Sequence, residues 1–366
     1  MTVAILLLIA GAGLLLVGAE SLVRGASKLA ALLGISPLII GLTIVAYGTS
    51  APEMAVSVQS SLTGQGDIAL GNVVGSNIFN VLVILGLSAL ISPLPVAQQL
   101  VRLDVPIMVG VSGLLMLFSI DRLLQPSDGI ILLVGGVVYT LFLVYQSRKE
   151  KNAEVQSEYE REYGPTPIGR WTWVVNLAYI AVGLVTLVTG SRMFVSGAVS
   201  IAESLGVSQL VIGLTIVAAG TSLPELATSM VATFRGEGDI AVGNVVGSNI
   251  FNILTVLGVT SLTSGAGVII PESVLYFDLP VMLAVAVACL PIFLSGSVIT
   301  RWEGWVFVGY YVAYAVYLIL RAANHDSLGL FSRVMLMFVI PITVITLVVA
   351  MVRSWPKKGR SPVEHE

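Results

Sequence analysis

Two acidic residues, Glu53 and Glu225, stand in the middle of long apolar stretches. A carboxylate at membrane depth costs roughly 3 kcal/mol or more unless it is paired, hydrated or protonated, so it is functional by default. No Lys or Arg lies within 34–60 or 207–233, and neutralisation by a neighbouring base in the same stretch is therefore ruled out. Two such acids call for a cation. Calcium takes about 6–8 oxygen ligands, carboxylates among them, and two carboxylates would cancel its charge.

The flanking residues can supply further oxygens. Pro52 and Pro224 lack an N–H and clash with the carbonyl four residues earlier, which frees the carbonyls of Gly48 and Gly220. Unwound backbone is tolerated at membrane depth where it lines a polar cavity. Thr49, Ser50, Thr221 and Ser222 add hydroxyls beside the breaks. A plain kink with hydroxyls bonded back to the backbone is the alternative. Its weakness is that the same arrangement occurs twice, each time next to a glutamate. Downstream, the decapeptide GNVVGSNIFN places Asn72, Gly75, Ser76 and Asn80 at helical spacing, and Asn244, Gly247, Ser248 and Asn252 repeat it. Such residues serve either as ion ligands or as polar glue between close-packed helices. Asp67 and Asp239, each after a glycine and before an apolar run, read as helix N-caps.

The elements that position these residues must be membrane helices. Of 366 residues, 56% are hydrophobic and 11% charged, less than half the charge of an ordinary globular chain. Apolar runs suggest spans near 3–20, 34–60, 68–91, 104–120, 128–146, 171–191, 207–233, 239–262, 278–297, 303–320 and 331–352. The run at 3–19 lacks a preceding base and a clear cleavage site, and reads as the first span rather than a leader. With the N-terminus outside, only Arg122, Arg192, Arg321 and Arg333 of the 18 Lys and Arg face outwards. That asymmetry predicts a cytoplasmic C-terminus in a plasma (inner) membrane. The charged stretch 147–170 reads as a cytoplasmic linker between halves 1–146 and 171–322, with 323–366 forming an extra span and basic tail. The net charge of −3 gives no sign of nucleic-acid binding, and Cys289 alone supports neither a disulfide nor a thiolate metal site. His325 and His365 lie in a loop and the tail, away from the spans.

Residues 41–86 and 213–258 align without gaps at an offset of 172, identical at roughly two-thirds of positions. Five spans separate equivalent points, and an odd number of crossings makes the second copy enter the membrane the opposite way. The expected fold is therefore an all-α integral membrane protein with two inverted five-helix repeats, a ten-helix core and one extra C-terminal helix. Inverted repeats with broken helices belong to secondary transporters, which bind substrate where the breaks meet.

With GTSAPE at 48–53, GTSLPE at 220–225 and GNVVGSNIFN at 71–80 and 243–252, the sequence resembles the sodium/calcium exchangers of the cation/calcium exchanger superfamily. The resemblance implies that Glu53 and Glu225 ligate calcium with the backbone carbonyls of Thr49 and Thr221. It implies sodium sites using Ser50, Ser76, Ser222 and Ser248 with the carbonyls of Ala46 and Ala218. Family members commonly move three sodium ions per calcium, the two ions competing for the shared carboxylates. Calcium and sodium are then the transported partners, and no cofactor is implied. The central amide positions, Asn80 and Asn252, are both neutral; several relatives carry aspartate at the second. That departure argues against potassium cotransport. The main alternative function is a proton/calcium antiporter, although such proteins usually place an acid near the GN segment. A channel would need a continuous pore, and a hydrolase built on Ser50 or Ser222 would have no His or Lys base in these spans.

Overall fold

The computed structural model describes residues 1–149, 170–207, 212, 216, 218–294 and 297–346. Helices account for nearly all of them. In chain order they are α1 (Thr2–Leu33), α2 (Pro37–Thr49), α3 (Ala51–Leu62), α4 (Gly66–Ile91), α5 (Leu100–Phe118) and α6 (Pro126–Ser147). The second half holds α7 (Trp171–Ser204), α8 (Leu223–Phe234), α9 (Gly238–Thr263), α10 (Val274–Leu294), α11 (Arg301–Ala322) and α12 (Leu328–Thr346). Among the described residues, nine helices are long and apolar enough to cross a membrane, and α2 with α3 forms a tenth span bent by 43°. The chain is a multi-pass membrane protein. The expected span at 207–233 falls partly outside the described residues; its second part is α8.

Two helices form the centre. In α4 and α9, 72% and 94% of the most apolar stretch is buried, against 39% or less in the other single-helix spans. Both start with the same GD dipeptide and run through the decapeptide. In α9 a Cβ on Gly243 would lie 2.8 Å from the Leu38 carbonyl oxygen, and one on Gly247 2.6 Å from the Leu42 carbonyl oxygen, so these glycines let α2 approach. The bent pair α2–α3 and the helix α8 pack on this central pair, and α5, α6, α10 and α11 surround it. The two halves interlock: α6 packs on the C-terminal part of α9, while α11 packs on the C-terminal part of α4. Two short antiparallel ribbons repeat the exchange. Leu94–Pro95 pairs with Val298–Ile299, and Leu123–Leu124 with Val268–Ile269.

Outside this core, α1 and α7 lie against each other along their length. The apolar run predicted a span ending near residue 20, but α1 continues to Leu33. Two of its charged residues, Glu20 and Arg24, find partners at the helix surface. Glu20 accepts from Arg24 one turn on, at 2.8 Å, and from Nε of Arg235 at 2.6 Å, tying α1 to the turn after α8.

The approach of α1 and α7 depends on glycine. A Cβ on Gly18 would lie 2.8 Å from the Leu187 nitrogen and 2.9 Å from the Gly183 carbonyl oxygen. One on Gly183 would lie 2.7 Å from the Leu22 nitrogen and 2.8 Å from the Gly18 oxygen. Lipid gives no hydrophobic drive between helices, so this backbone contact carries much of the association. Gly→Ala in a free helix position favours the helix by about 1 kcal/mol, whereas overpacking costs about 1–3 kcal/mol. We expect Gly18→Ala and Gly183→Ala to lower the thermal unfolding midpoint in detergent. Gly13→Ala, where a Cβ meets nothing within 4 Å, should leave it unchanged or raise it. Equal midpoints for all three would refute the close contact.

Candidate functional site

The break between α2 and α3 falls at Ser50, whose backbone (φ −80°, ψ 7°) leaves the helical region. Its counterpart Ser222, before α8, adopts φ −89°, ψ 8°. The prolines then sit in the first turn of the following helix, where a missing N–H removes no helical bond. Glu53 and Glu225 occupy the same first turns, at the positive end of the helix dipole. Both carboxylates are fully buried, with 0% exposure. No ion pair compensates them: the salt bridges among the described residues join Glu20 to Arg24 and Arg235.

Instead each break supports the other's acid. Ser50 donates to Oε1 of Glu225 at 2.9 Å, and Ser222 donates to Oε1 of Glu53 at 3.1 Å. Ser76 on α4 adds a long contact to the same Glu53 oxygen at 3.5 Å. Its counterpart Ser248 on α9 reaches the Ala46 carbonyl, also at 3.5 Å. Thr49 donates to Oδ1 of Asn244 at 3.0 Å, and Thr221 to Oδ1 of Asn72 at 3.2 Å. Those asparagines bind back to α8 and α3. Asn244 donates to Ser229 at 3.0 Å and the Glu225 carbonyl at 3.3 Å; Asn72 donates to Ser57 at 3.1 Å and the Glu53 carbonyl at 3.4 Å. Ala218 opens the short helical turn Ala218–Gly220 that leads to Thr221. Thus the serines, threonines and glutamates predicted from sequence converge on one place.

Asn80 and Asn252 complete the centre, each opening a π-helical turn, at Asn80–Leu85 and Asn252–Leu257. Their side chains bond across the centre to Asn249 and Asn77, at 3.0 and 3.1 Å. The sequence reading missed Asn77 and Asn249. They fall on a different face of the helix from the 72–76–80 row, and their one available signal was identity in both copies of the decapeptide.

Two expectations need correction. Asp67 and Asp239 are not N-caps. Gly64 and Gly236, at φ 77° and 80°, turn the chain early, so α4 and α9 are capped at Gln65 and Glu237 and both aspartates lie inside the first turn. The Gly220 carbonyl, freed by Pro224, is not open either, because Ser191 on α7 donates to it at 2.6 Å. The equivalent α1 position is Ala19, which has no hydroxyl to offer Gly48.

What the site leaves unsatisfied defines its chemistry. Oε2 of Glu53, Oε2 of Glu225, Oδ1 of Asn80 and Oδ1 of Asn252 are buried acceptors without a hydrogen-bond partner. Buried polar atoms are nearly always paired, so two open carboxylate oxygens together with two open amide oxygens suit a cation. No group of three or more His, Cys, Asp or Glu that could hold a metal occurs among the described residues. The remaining oxygens are neutral, a donor set for hard alkali or alkaline-earth ions rather than transition metals.

Buried acids beside helix breaks within a bundle of membrane spans define a membrane transporter, not an enzyme. Comparison with known proteins narrows the class. The sequence profile of the family described as sodium/calcium exchanger protein matches residues 3–147 and 175–320. The putative antiporter CaxA of Alkalimonas amylolytica is 40% identical over 319 residues, covering 86% of this chain and 98% of that protein. The sodium/calcium exchanger MaX1 of Methanosarcina acetivorans is 34% identical over 354 residues, covering 87% and 99%. Among solved structures, the sodium-calcium exchanger NCX_Mj soaked without Na+ and Ca2+ superposes with a TM-score of 0.72 at 30% identity, covering 85% of this chain and 97% of that one. The chain belongs to the sodium/calcium exchanger family.

Proposed function

We propose that this protein is a secondary antiporter that exchanges sodium for calcium by alternating access, with Glu53 and Glu225 as the carboxylates both ions share. The observation that carries this reading is the pair of buried, unpartnered Oε2 atoms, one from each half, with no base beside them. Calcium would bridge the two carboxylates and take further oxygens from the backbone carbonyls of Thr49 and Thr221. Sodium would use the same carboxylates with Ser50, Ser76, Ser222 and Ser248, the carbonyls of Ala46 and Ala218, and the amides of Asn80 and Asn252. Competition for shared oxygens makes one ion's release a condition of the other's binding.

Reciprocal contacts at matching positions in the two halves support a two-fold relation between the repeats. With an odd number of spans between them, that axis lies in the membrane plane. The Lys and Arg distribution supports an orientation with the N-terminus outside and the C-terminus in the cytoplasm, and an inner (plasma) membrane is the location proposed with it. Alternating access then consists of one half-bundle rocking against the other around the site.

With two carboxylates and neutral Asn80 and Asn252, one calcium balances the site and three sodium ions leave one positive charge over. Exchange is then electrogenic and independent of potassium. Each such charge couples to the membrane potential by about 2.3 kcal/mol per 100 mV.

The test is calcium uptake into proteoliposomes loaded with sodium. Glu53→Gln and Glu225→Gln should each cut sodium-driven uptake by at least about a hundredfold, as expected for about 3 kcal/mol lost from a buried charge site. Both variants should elute as folded protein on size exclusion. Near-normal uptake by either folded variant would remove that glutamate from the site. At clamped potential, an inside-positive voltage should speed uptake and an inside-negative one slow it, with or without potassium. Uptake indifferent to voltage, strictly dependent on potassium, or driven by a pH gradient but not by sodium would contradict the assigned exchange.

A further inference from the structure

The orientation of the two central amides is decided by a second pair of asparagines. Nδ2 of Asn77 lies 3.2 Å from the Asn249 carbonyl and 3.7 Å from Sδ of Met282. Nδ2 of Asn249 lies 3.3 Å from the Asn77 carbonyl and 3.6 Å from Sδ of Met108. Carbonyl and thioether groups accept hydrogen bonds and cannot donate them. An amide oxygen turned to that side would face only acceptors, so both NH2 groups must point there. Oδ1 of Asn77 and of Asn249 consequently faces the opposite way, where it meets Asn252 and Asn80.

The constraint then passes inward. Asn252 must offer its NH2 to Oδ1 of Asn77, at 3.1 Å, and Asn80 must offer its NH2 to Oδ1 of Asn249, at 3.0 Å. The oxygens of Asn80 and Asn252 have no choice but the remaining direction, and these are two of the four buried acceptors left without a partner. Oxygen and nitrogen of a carboxamide are close in size, so shape alone would not distinguish the two orientations. The acceptor chain from sulfur and carbonyl, through Asn77 or Asn249, to Asn252 or Asn80 does.

We propose that Asn77 and Asn249, set by Met282, Met108 and each other's backbone carbonyl, are positioning residues that make Asn80 and Asn252 present an oxygen, never an NH2, to the bound cation. The inference rests on the cation site proposed above. Without Asn77 the NH2 of Asn252 loses its acceptor. In a buried site it then competes with the cation for the open acceptors, which include the oxygens of Glu53 and Glu225. A carboxylate at position 252 would escape this, since its two terminal atoms are both oxygens.

That difference provides the test. Calcium alone is titrated onto the detergent-solubilised full chain by equilibrium binding, comparing wild type, Asn77→Ala, Asn252→Asp, the Asn77→Ala/Asn252→Asp double variant and Glu53→Gln. Loss of a residue that orients a ligand costs about tenfold or more in affinity. We expect Asn77→Ala to weaken calcium binding about tenfold in the wild-type background but by less than about twofold in the Asn252→Asp background, a difference between backgrounds that marks the two residues as coupled. The reciprocal set, Asn249→Ala with and without Asn80→Asp, gives the same comparison if Asn77→Ala does not fold. An equal loss in both backgrounds would reduce Asn77 to a packing residue and overturn the proposal, as would no loss in either. Unchanged binding by Glu53→Gln would instead show that the cation site itself is misassigned, and the positioning role would fall with it.

Discussion

Two carboxylates buried inside a membrane protein without a base beside them are the constraint on which the rest of this structure depends. Each alone would cost several kcal/mol to hold in charged form in an apolar surrounding. The fold lowers that cost in small steps: a position in the first turn of a helix, a hydroxyl from the opposite break, and polar neighbours from the central helices. None of these cancels the charge. The two carboxylates are left incompletely compensated, and it is on this deficit that the proposed exchange of cations draws.

The support is reciprocal, and that links the site to the architecture. Ser50 serves Glu225 and Ser222 serves Glu53, so neither half forms a complete site alone. The same exchange recurs at larger scale where α6 packs on α9 and α11 on α4, and where the two short ribbons join strands from opposite halves. A displacement of one half relative to the other therefore acts directly on the hydrogen bonds of both buried carboxylates. The reciprocity is imperfect where Ser191 occupies the Gly220 carbonyl and buried Ala19 stands at the equivalent place, and where Ser76 meets Glu53 but Ser248 meets the Ala46 carbonyl. The two breaks thus share their backbone geometry at Ser50 and Ser222 but not an identical set of hydrogen bonds.

Much of this was legible in the sequence, for physical reasons that can be stated residue by residue. An acid in an apolar run is conspicuous because it is expensive, and a proline beside it in a duplicated motif marks a break. Glu53, Glu225 and their Ser and Thr neighbours were found that way, and the repeats paired the two breaks. Less legible was anything set by contact between elements. Asn77 and Asn249 read as ordinary decapeptide residues until the two copies were seen to cross, since their partners lie on the opposite half. The C-terminal end of α1 and the true caps of α4 and α9 were missed for a related reason. A helix continues past a charged residue when a partner such as Arg235 is waiting 215 positions away, and a cap shifts when a glycine turns the chain early.

The central claim is that one cation sits between the two halves and touches both unpartnered carboxylate oxygens. Anomalous diffraction from crystals of the protein soaked in a heavier alkaline-earth ion tests it most directly. The account predicts a single strong peak in contact with Oε2 of both Glu53 and Glu225, absent from crystals of the Glu53→Gln variant and displaced by excess sodium. No peak between these residues, or one bound only elsewhere in the chain, would contradict it.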